Sequence, residues 1–261
     1  MGFHYPWSAA RSIVSMSKHT TATFREAHPE PPFWRVRFEM LNPPRPGCFM
    51  LADFGAPLRE VLFPAALHAE GFDVLVPPGH PVQRLLPGEA VDLLGPFGRG
   101  FQTEQVERLL LVAEAHLLPP LLPLLEAAPM VTLVLAAPTR ALLPPAQRFP
   151  PAVELHLITQ DGSVGYAGTL ETCHNADSPL LEGMQWADRL CASCDPVFYP
   201  KLARIVRQQR LNPPSNFAQV LIQVAMPCGV GACEICRVQT VNGERRACSD
   251  GPVFDVLDFV F

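Results

Sequence analysis

The distribution of apolar residues divides the chain into two long stretches with different patterns. Between about Thr21 and Gly100, segments such as FWRVRFEM alternate apolar and polar side chains, which is typical of half-buried β-strands. GCFMLADF, FDVLVPP and LLPGEAVDLLGPFGRGF add further short apolar runs that Gly and Pro interrupt. Several strands at such close spacing predict a small antiparallel β-barrel.

Beyond Phe101 the apolar segments are continuous rather than alternating. RLLLVAEA, MVTLVLAAP and AVELHLITQDGS predict three buried strands, and WADRLCASCDP ends a fourth. HLLPPLLPLLEAA predicts a helical stretch interrupted by proline, and VFYPKLARIVRQQRL has the apolar spacing of a helix. Strands that alternate with helices indicate an α/β region built on a mostly parallel sheet with both faces covered.

These patterns predict four segments. Residues 1–19 form a disordered extension, within which Met16 is an alternative start, and residues 20–100 form the barrel. Residues 101–214 form the α/β domain, which ends at a double proline, and residues 215–261 form a small cysteine-rich domain.

Composition and charge exclude several classes of function. Of the 261 residues 48% are hydrophobic, yet no apolar run is long and uninterrupted enough to span a bilayer. A net charge of −5 gives no reason to expect nucleic acid as a partner. The N-terminus lacks the pattern of a secretory signal, so the eight cysteines predict a reducing, cytoplasmic compartment. In that compartment clustered thiols are more often metal ligands than disulfides.

Four cysteines are concentrated near the C-terminus. The spacing is Cys228-x4-Cys233-x2-Cys236, followed after eleven residues by Cys248, and it matches the plant-type [2Fe-2S] arrangement. The small residues between the first two thiols allow a loop to wrap a cluster and to turn backbone N–H groups toward its sulfurs. The alternatives are a structural zinc site and unligated core cysteines, but zinc usually takes its ligands as two short pairs.

The position of the fourth thiol can be predicted from the hairpin CRVQTVNGERRAC. A three-residue loop of Val241, Asn242 and Gly243 with a left-handed glycine would place Cys236 directly opposite Cys248. A two-residue Asn-Gly turn would place Arg237 opposite Cys248 instead and send the two thiols to opposite faces. We expect the bulged form because shared ligation requires both sulfurs on one face.

The segment CGVGACEICRVQT followed by ACSDGPVFD resembles the C-terminal part of the electron-transfer subunit of NAD-linked (class 1B) dihydroorotate dehydrogenase. This ferredoxin-reductase-like family combines a flavin-binding barrel, a Rossmann-like nucleotide domain and a C-terminal [2Fe-2S] domain, which is the order that the patterns predict. LLGPFGRGF resembles the motif that ends the family's barrel, and TQDGSVGYAGTL resembles a loop of its nucleotide domain. The sequence Cys194-Asp195-Pro196 stands where the family has Cys-Gly-Pro near the nicotinamide.

Two family motifs are altered in this sequence. The Arg-Pro-aromatic-Ser motif that contacts FAD is replaced by APLREVLFPAALH, in which Arg59 is the sole cation, and Ala65 and Ala66 stand where a hydroxyl is expected. The Gly-rich turn after the first strand of the nucleotide domain is replaced by Ala113 to His116 and includes Glu114. Side chains and a negative charge in that turn argue against NAD(P) binding in the ordinary mode. The sequence leaves FAD binding open, since barrel contacts can be made by the backbone.

The resemblance implies an electron-transfer subunit rather than a self-sufficient enzyme. The cluster would relay electrons to or from a catalytic, dihydroorotate-dehydrogenase-like flavoprotein in a hetero-oligomer. The alternative is a non-enzymatic [2Fe-2S] docking module on a scaffold that has lost FAD and NAD binding. Cys191 and Cys194 are interpreted as buried small side chains rather than a redox pair or half of a zinc site, and Cys48 and Cys173 as core residues or chance occurrences.

Overall fold

The computed structural model describes residues 19–172 and 178–259. Most of the predicted N-terminal extension and Cys173 lie outside these ranges, and His19 is already the first residue of a strand. The described chain contains two seven-stranded sheets and one two-stranded hairpin.

The first sheet is antiparallel and barrel-like, with strand order β4-β3-β7-β1-β2-β6-β5. Its strands are β1 (His19–Glu30), β2 (Phe33–Glu39), β3 (Phe49–Ala52), β4 (Glu60–Leu62), β5 (Ala66–His68), β6 (Gly71–Val76) and β7 (Ala90–Phe97). The alternating pattern in β2 places Val36 and Phe38 in the core, where the Phe38 ring packs against Phe24 and Phe72. The barrel that the alternation predicts is present.

The second sheet has strand order β11-β10-β9-β8-β12-β13-β16, and only its last pair is antiparallel. In chain order the next strands are β8 (Arg108–Glu114), β9 (Met130–Ala137), β10 (Val153–Thr159), β11 (Tyr166–Ala167), β12 (Arg189–Ser193), β13 (Ala218–Leu221), β14 (Arg237–Thr240), β15 (Gly243–Arg246) and β16 (Val253–Asp255). The α-helices are α1 (Pro179–Trp186), α2 (Tyr199–Gln209) and α3 (Ala247–Asp250). The continuous apolar runs are thus parallel strands, as predicted; β8 and β9 are largely buried, whereas β10 is buried only at Ile158 and Thr159.

The stretch after β8 is not the α-helix of an ordinary βαβ unit. It forms two 3₁₀ segments, Ala115–Leu117 and Pro119–Leu124. Prolines 119, 120 and 123 lack the N–H groups that an α-helical ladder needs, which explains the tighter, shorter turns. The other 3₁₀ segments are Pro81–Arg84, Arg140–Leu142, Ala146–Arg148, Pro196–Phe198 and Val256–Asp258.

The order of the second sheet creates a topological switch point. From β8 the chain proceeds through β9, β10 and β11 toward one edge, and then returns to place β12 on the other side of β8. In open α/β sheets ligands bind outside the carboxyl ends of the strands at such a point. Here those ends are Glu114 of β8 and Ser193 of β12, and the space between them is the switch-point crevice.

The cysteine-rich segment is inserted into the second sheet. Strands β13 and β16 pair with each other, so residues 222–252 leave the sheet after β13 and return to it at β16. The predicted division at residue 214 therefore separates strands that share one sheet. The two polypeptide ends of the insertion are fixed side by side, which holds the cysteine-rich segment against both the sheet and the barrel.

Candidate metal centre

All four cysteines that the spacing singled out lie in the segment between β13 and β16. Cys228 and Cys233 lie in the loop between β13 and β14, Cys236 directly precedes β14, and Cys248 lies in α3. Cys236 and Cys248 are buried, Cys228 is half-buried and Cys233 is exposed. The centre therefore has a buried side that faces the core and an exposed side at Cys233.

Glycine is required in the loop for two separate reasons. Gly229 has a φ of +66°, which L-residues rarely adopt, and a β-carbon there would lie 2.8 Å from the Phe97 ring and 2.9 Å from Leu51. The loop backbone thus packs directly on strands β3 and β7 of the barrel. At Gly231, with a φ of +75°, the N–H group donates to Cys248 Sγ over 3.1 Å. The loop therefore turns a backbone donor toward sulfur, as the glycines predicted.

Cys228 and Cys233 form the first pair of thiols. Burial opposes ionisation of Cys228, but hydrogen bonding from the backbones of Cys233, Val230 and Ala232 and from the Cys233 side chain outweighs it. Together these contacts lower the pKa of Cys228 to about 6. A thiolate is the metal-binding form of cysteine, so the loop prepares this sulfur for ligation at neutral pH.

Cys236 and Cys248 form the second pair. Burial and the neighbouring Cys236 thiol raise the pKa of Cys248 to about 12, against the opposing contribution of the Gly231 N–H. Two adjacent buried thiolates repel each other, and a bound cation removes that repulsion. The electrostatics of this pair thus fit a metal centre.

The predicted hairpin register is wrong. Thr240 pairs with Gly243 and Arg237 with Arg246, so neither the bulged register nor the Asn-Gly alternative is present. The next residue along, Cys236, is bonded through its carbonyl to the N–H of Ala247, at 2.9 Å. Cys248 approaches Cys236 because the chain coils into α3 directly after β15 and so turns the thiol back toward the hairpin.

The thiols interact with one another: Cys228 with Cys233, Cys236 with Cys248, and Cys248 also with Cys228. Among the residues in the described ranges, no three His, Cys, Asp or Glu side chains are grouped as a single metal ion would require. A two-iron cluster needs two thiolates for each iron, and the contacts that join Cys228 with Cys233 and Cys236 with Cys248 supply them. This pairing fits an iron–sulfur cluster better than the zinc alternative.

A cavity lies between the barrel and the second sheet. Its volume is about 210 Å³, and its walls are mainly the apolar side chains of β4 and β6. The polar groups that reach it are His80, His116 and Gln223. This slot combines an apolar wall with a few polar side chains, as ligand sites commonly do.

Arg59, the cation that the sequence offered for a pyrophosphate, is engaged elsewhere. Its guanidinium pairs with the Asp92 carboxylate, donates to the Asp92 carbonyl at 3.1 Å and lies 3.9 Å from Asp53. The Arg59 hydrogen bond holds the pKa of Asp92 below its usual value. Because these acidic groups already neutralise it, Arg59 offers little charge to a phosphate ligand.

The remaining cysteines of the described ranges do not extend the centre. Cys191 and Cys194 are fully buried, and burial raises the pKa of each well above that of a free thiol. Cys194 Sγ donates to the Val112 carbonyl at 3.5 Å. Cys48 is half-buried against the carbonyl of Gly98, and burial raises its pKa as well. Inert core thiols behave in this way.

Sequence reasoning missed one buried charged group in the barrel. Asp73 on β6 is fully buried and is surrounded by Arg35, Arg37 and His68. Burial opposes its ionisation, but hydrogen bonds from the two arginines and from His68 keep its pKa below the usual value. The signal was the alternation of arginines in FWRVRFEM, since Arg37 lies directly opposite Asp73 in the register of β2 and β6.

Comparisons with known proteins agree with this geometry. Residues 224–259 match the family described as the iron-sulfur cluster binding domain of dihydroorotate dehydrogenase B. The chain is 33% identical over 184 residues to the "Dihydroorotate dehydrogenase B (NAD(+)), electron transfer subunit" of Shouchella clausii (strain KSM-K16), covering 66% of each chain. It is 32% identical over 178 residues to the subunit of the same name from Bacillus caldolyticus, covering 64% of each. The chain thus spans just under two thirds of the length of these curated relatives.

Solved structures show the same architecture. The NADH-dependent reduced ferredoxin-NADP oxidoreductase, a structure that gave insights into flavin-based electron bifurcation, superposes with a TM-score of 0.71. The superposition covers 91% of this chain and 88% of that one at 21% identity. The ferredoxin reductase in carbazole 1,9a-dioxygenase gives a TM-score of 0.60 at 15% identity, with 75% of this chain and 67% of that one covered. At these identities the likeness establishes the fold.

The chain is therefore a protein of the ferredoxin-reductase fold that carries a C-terminal iron–sulfur domain. Within that class, residues 224–259 match the iron–sulfur binding domain family of dihydroorotate dehydrogenase B, and just under two thirds of the chain is similar to its electron transfer subunits. The predicted fold class and the family resemblance are both confirmed.

Proposed function

We propose that this chain is the iron–sulfur electron-transfer subunit of a dihydroorotate-dehydrogenase-like oxidoreductase. The observation that carries the proposal is the set of four interacting thiols, Cys228 with Cys233 and Cys236 with Cys248, inside a segment that matches the iron–sulfur family. These four residues would hold a [2Fe-2S] cluster, which supplies one-electron chemistry when bound. The four ligands follow from the spacing and the pairing together.

The proposed cluster site has a buried side and a side exposed to solvent. Cys236 and Cys248 lie on the core side, while Cys233 is exposed and has Val230 and Ile235 as exposed apolar neighbours in the chain. Electron exchange between proteins requires the redox group to lie close to the surface. The exposed side is where we expect the catalytic flavoprotein subunit to dock, in a hetero-oligomer that takes part in pyrimidine biosynthesis.

The slot between the barrel and the second sheet is the site that suits a flavin ring. Val61, Phe63 and Leu75 would contact its faces, with His80 and Gln223 at polar positions of the lining. For the pyrophosphate of FAD the chain offers backbone groups rather than a free arginine, because Arg59 is paired with Asp92. We therefore propose that FAD is held mainly through its ring. Electrons would pass between that ring and the cluster.

One property of the described chain bears on where the protein works. None of the helices in the described ranges is both long and apolar enough to cross a membrane. The thiol-rich, metal-binding segment supports a protein of the cytoplasm, because thiols stay reduced there.

Visible absorption of the anaerobically purified chain tests the proposal. Cluster bands that bleach with dithionite, together with flavin bands and about two irons per chain, are expected. A colourless protein that contains zinc would contradict the proposal. The catalytic partner can be sought by co-purification from the native host, with dihydroorotate as the reductant of the captured complex.

A second candidate is a non-enzymatic [2Fe-2S] docking module. The neutralised Arg59 and the turn that contains Glu114 favour it, because both replace groups that would contact cofactors. Cluster bands without flavin in the same spectrum, after reconstitution with excess FAD, would favour this candidate over the first.

A further inference from the structure

The switch-point crevice is where a protein of this fold would receive a dinucleotide. Its recognition needs backbone N–H groups at the start of the helix after the first strand, and room for the phosphates to approach them. In this chain the strand is β8, and residues 114–124 follow it. The contacts of that segment show what fills the crevice instead.

The segment after β8 does not begin an α-helix. It continues in 3₁₀ turns, and Pro119 and Pro120 have no N–H group to donate. The phosphate-binding helix of the fold is thus missing where the crevice needs it. The loss follows from the sequence HLLPPLLP.

Two side-chain donors at the crevice are bound to the chain itself. Ser193 Oγ donates to the carbonyl of Leu117 at 2.7 Å, and Gln223 Nε2 reaches the same carbonyl at 3.3 Å. Gln223 also donates to Ser193 Oγ at 2.8 Å. The main chain of Leu117 therefore occupies the polar end of the crevice, where Ser193 is fully buried.

Acidic groups close the other side. The Glu114 carboxylate accepts the N–H of Asp195 at 3.3 Å, so a backbone donor at the end of β12 is also used internally. The carboxylates of Glu114 and Asp195 both lie at this edge, and no arginine or lysine is among the described contacts of Glu114, whose neighbour His116 lies 3.9 Å away. A dinucleotide phosphate would have to displace these contacts and approach two negative charges.

We propose that segment 114–118 is a built-in plug of the nucleotide crevice, and that no pyridine nucleotide binds there. Reducing equivalents then pass between the cluster, the flavin slot and a protein partner, and any NAD(P)H that the complex uses binds to another subunit. Only this consequence rests on the proposed function. The plug itself rests on the contacts of Leu117 and Glu114.

Equilibrium binding to the full chain tests the plug directly. ADP-ribose, NAD⁺ and NADH are titrated by calorimetry and by saturation-transfer NMR, and no saturable binding is expected up to about 1 mM. Saturable binding of any of these three probes below that concentration overturns the proposal. Because ADP-ribose binding needs no metal, an iron-free preparation would contradict the proposed function and still leave this test valid.

Two variants test whether the main chain of Leu117 or the negative charge of Glu114 keeps a dinucleotide out of the crevice. Glu114→Gln removes the negative charge but keeps an acceptor for the Asp195 N–H, and the exposed Glu107→Gln is the matched control. Neither variant is expected to bind ADP-ribose, because Leu117 still fills the crevice. Binding by the Glu114→Gln variant alone would show that charge closes the crevice and would overturn the plug.

Discussion

The metal centre and the switch-point crevice use their backbone polar groups in opposite ways. At the metal centre, Gly231 turns its N–H group outward to a cysteine sulfur that a metal can share. At the crevice, the Asp195 N–H and the Ser193 hydroxyl are bonded to Glu114 and Leu117 of the same chain. One site keeps its donors directed at a ligand position, and the other has satisfied them internally. On our proposals, the same fold keeps one of its binding sites and fills another.

The two sites also differ in how they affect the stability of the protein without ligands. The centre holds unusual backbone angles and adjacent buried thiols, which are favourable only when a ligand compensates them. The crevice contains ordinary satisfied hydrogen bonds, which stabilise the empty protein. Variants should therefore affect metal content at the centre and folding stability at the crevice.

The largest effect is expected from Cys248→Ser. The hydroxyl has a far higher pKa than a thiol and is a poor iron ligand, so iron should fall from about two per chain to a small fraction of that. Metal analysis and the visible spectrum measure this loss. The matched control is Cys48→Ser, since the Cys48 thiol donates to the barrel carbonyl of Gly98, and its iron content should equal that of the wild type. An unchanged spectrum in the Cys248 variant would remove this residue from the ligand set.

A smaller but substantial effect is expected from Gly229→Ala. A left-handed φ costs an L-residue about 1–2 kcal/mol, and overpacking against Phe97 and Leu51 adds about 1–3 kcal/mol. Urea unfolding of the cluster-loaded chain measures the sum, and we expect partial loss of iron as well. Gly243→Ala is the control, because Gly243 has a φ of +88° but no atom within 4 Å of its β-carbon position. Equal destabilisation by both variants would mean that the contact with the barrel carries no energy.

Local signals in the sequence were sufficient to predict the strands and to single out the four cysteines. Apolar runs are short-range patterns, and the Cys-x4-Cys-x2-Cys spacing lies within nine residues. The register of the hairpin was missed because Gly243 pairs with Thr240, and because Cys248 lies in a helical turn rather than in the strand. Turn geometry of this kind depends on one or two hydrogen bonds, which periodicity does not encode.

The internal contacts of the crevice could be predicted only in part. The substitution of Glu114 for a small residue was visible in the sequence. The pairing of Leu117 with Ser193 and Gln223 was not, because these residues are 76 and 106 positions away from it. Asp73 was missed for the same reason, since its partners lie on another strand and a charge in an apolar run gives no indication of them.

A moderate effect on stability alone is expected from Ser193→Ala. The change leaves the Leu117 carbonyl with the longer Gln223 contact and leaves the Gln223 amide without its hydroxyl acceptor. Loss of one buried hydrogen bond costs about 1–3 kcal/mol, measured by urea unfolding. The exposed Ser215→Ala is the control and should change stability by less than about 0.5 kcal/mol. Loss of iron from the Ser193 variant would contradict the separation of the two sites.

The smallest effect is expected from Glu114→Gln. The amide oxygen can still accept the Asp195 N–H, whose distance of 3.3 Å marks a weak bond, and the carboxylate is partly exposed to water. Removing the charge also relieves repulsion from Asp195, so the two contributions oppose each other, and the free energy of unfolding should change by less than about 0.5 kcal/mol. Glu114→Leu removes the acceptor as well and should cost about 1 kcal/mol, measured in the same urea titration. If the Gln variant were as destabilised as the Leu variant, the charge rather than the hydrogen bond would hold this edge of the crevice together, and the contrast with the metal centre would then rest on Leu117 alone.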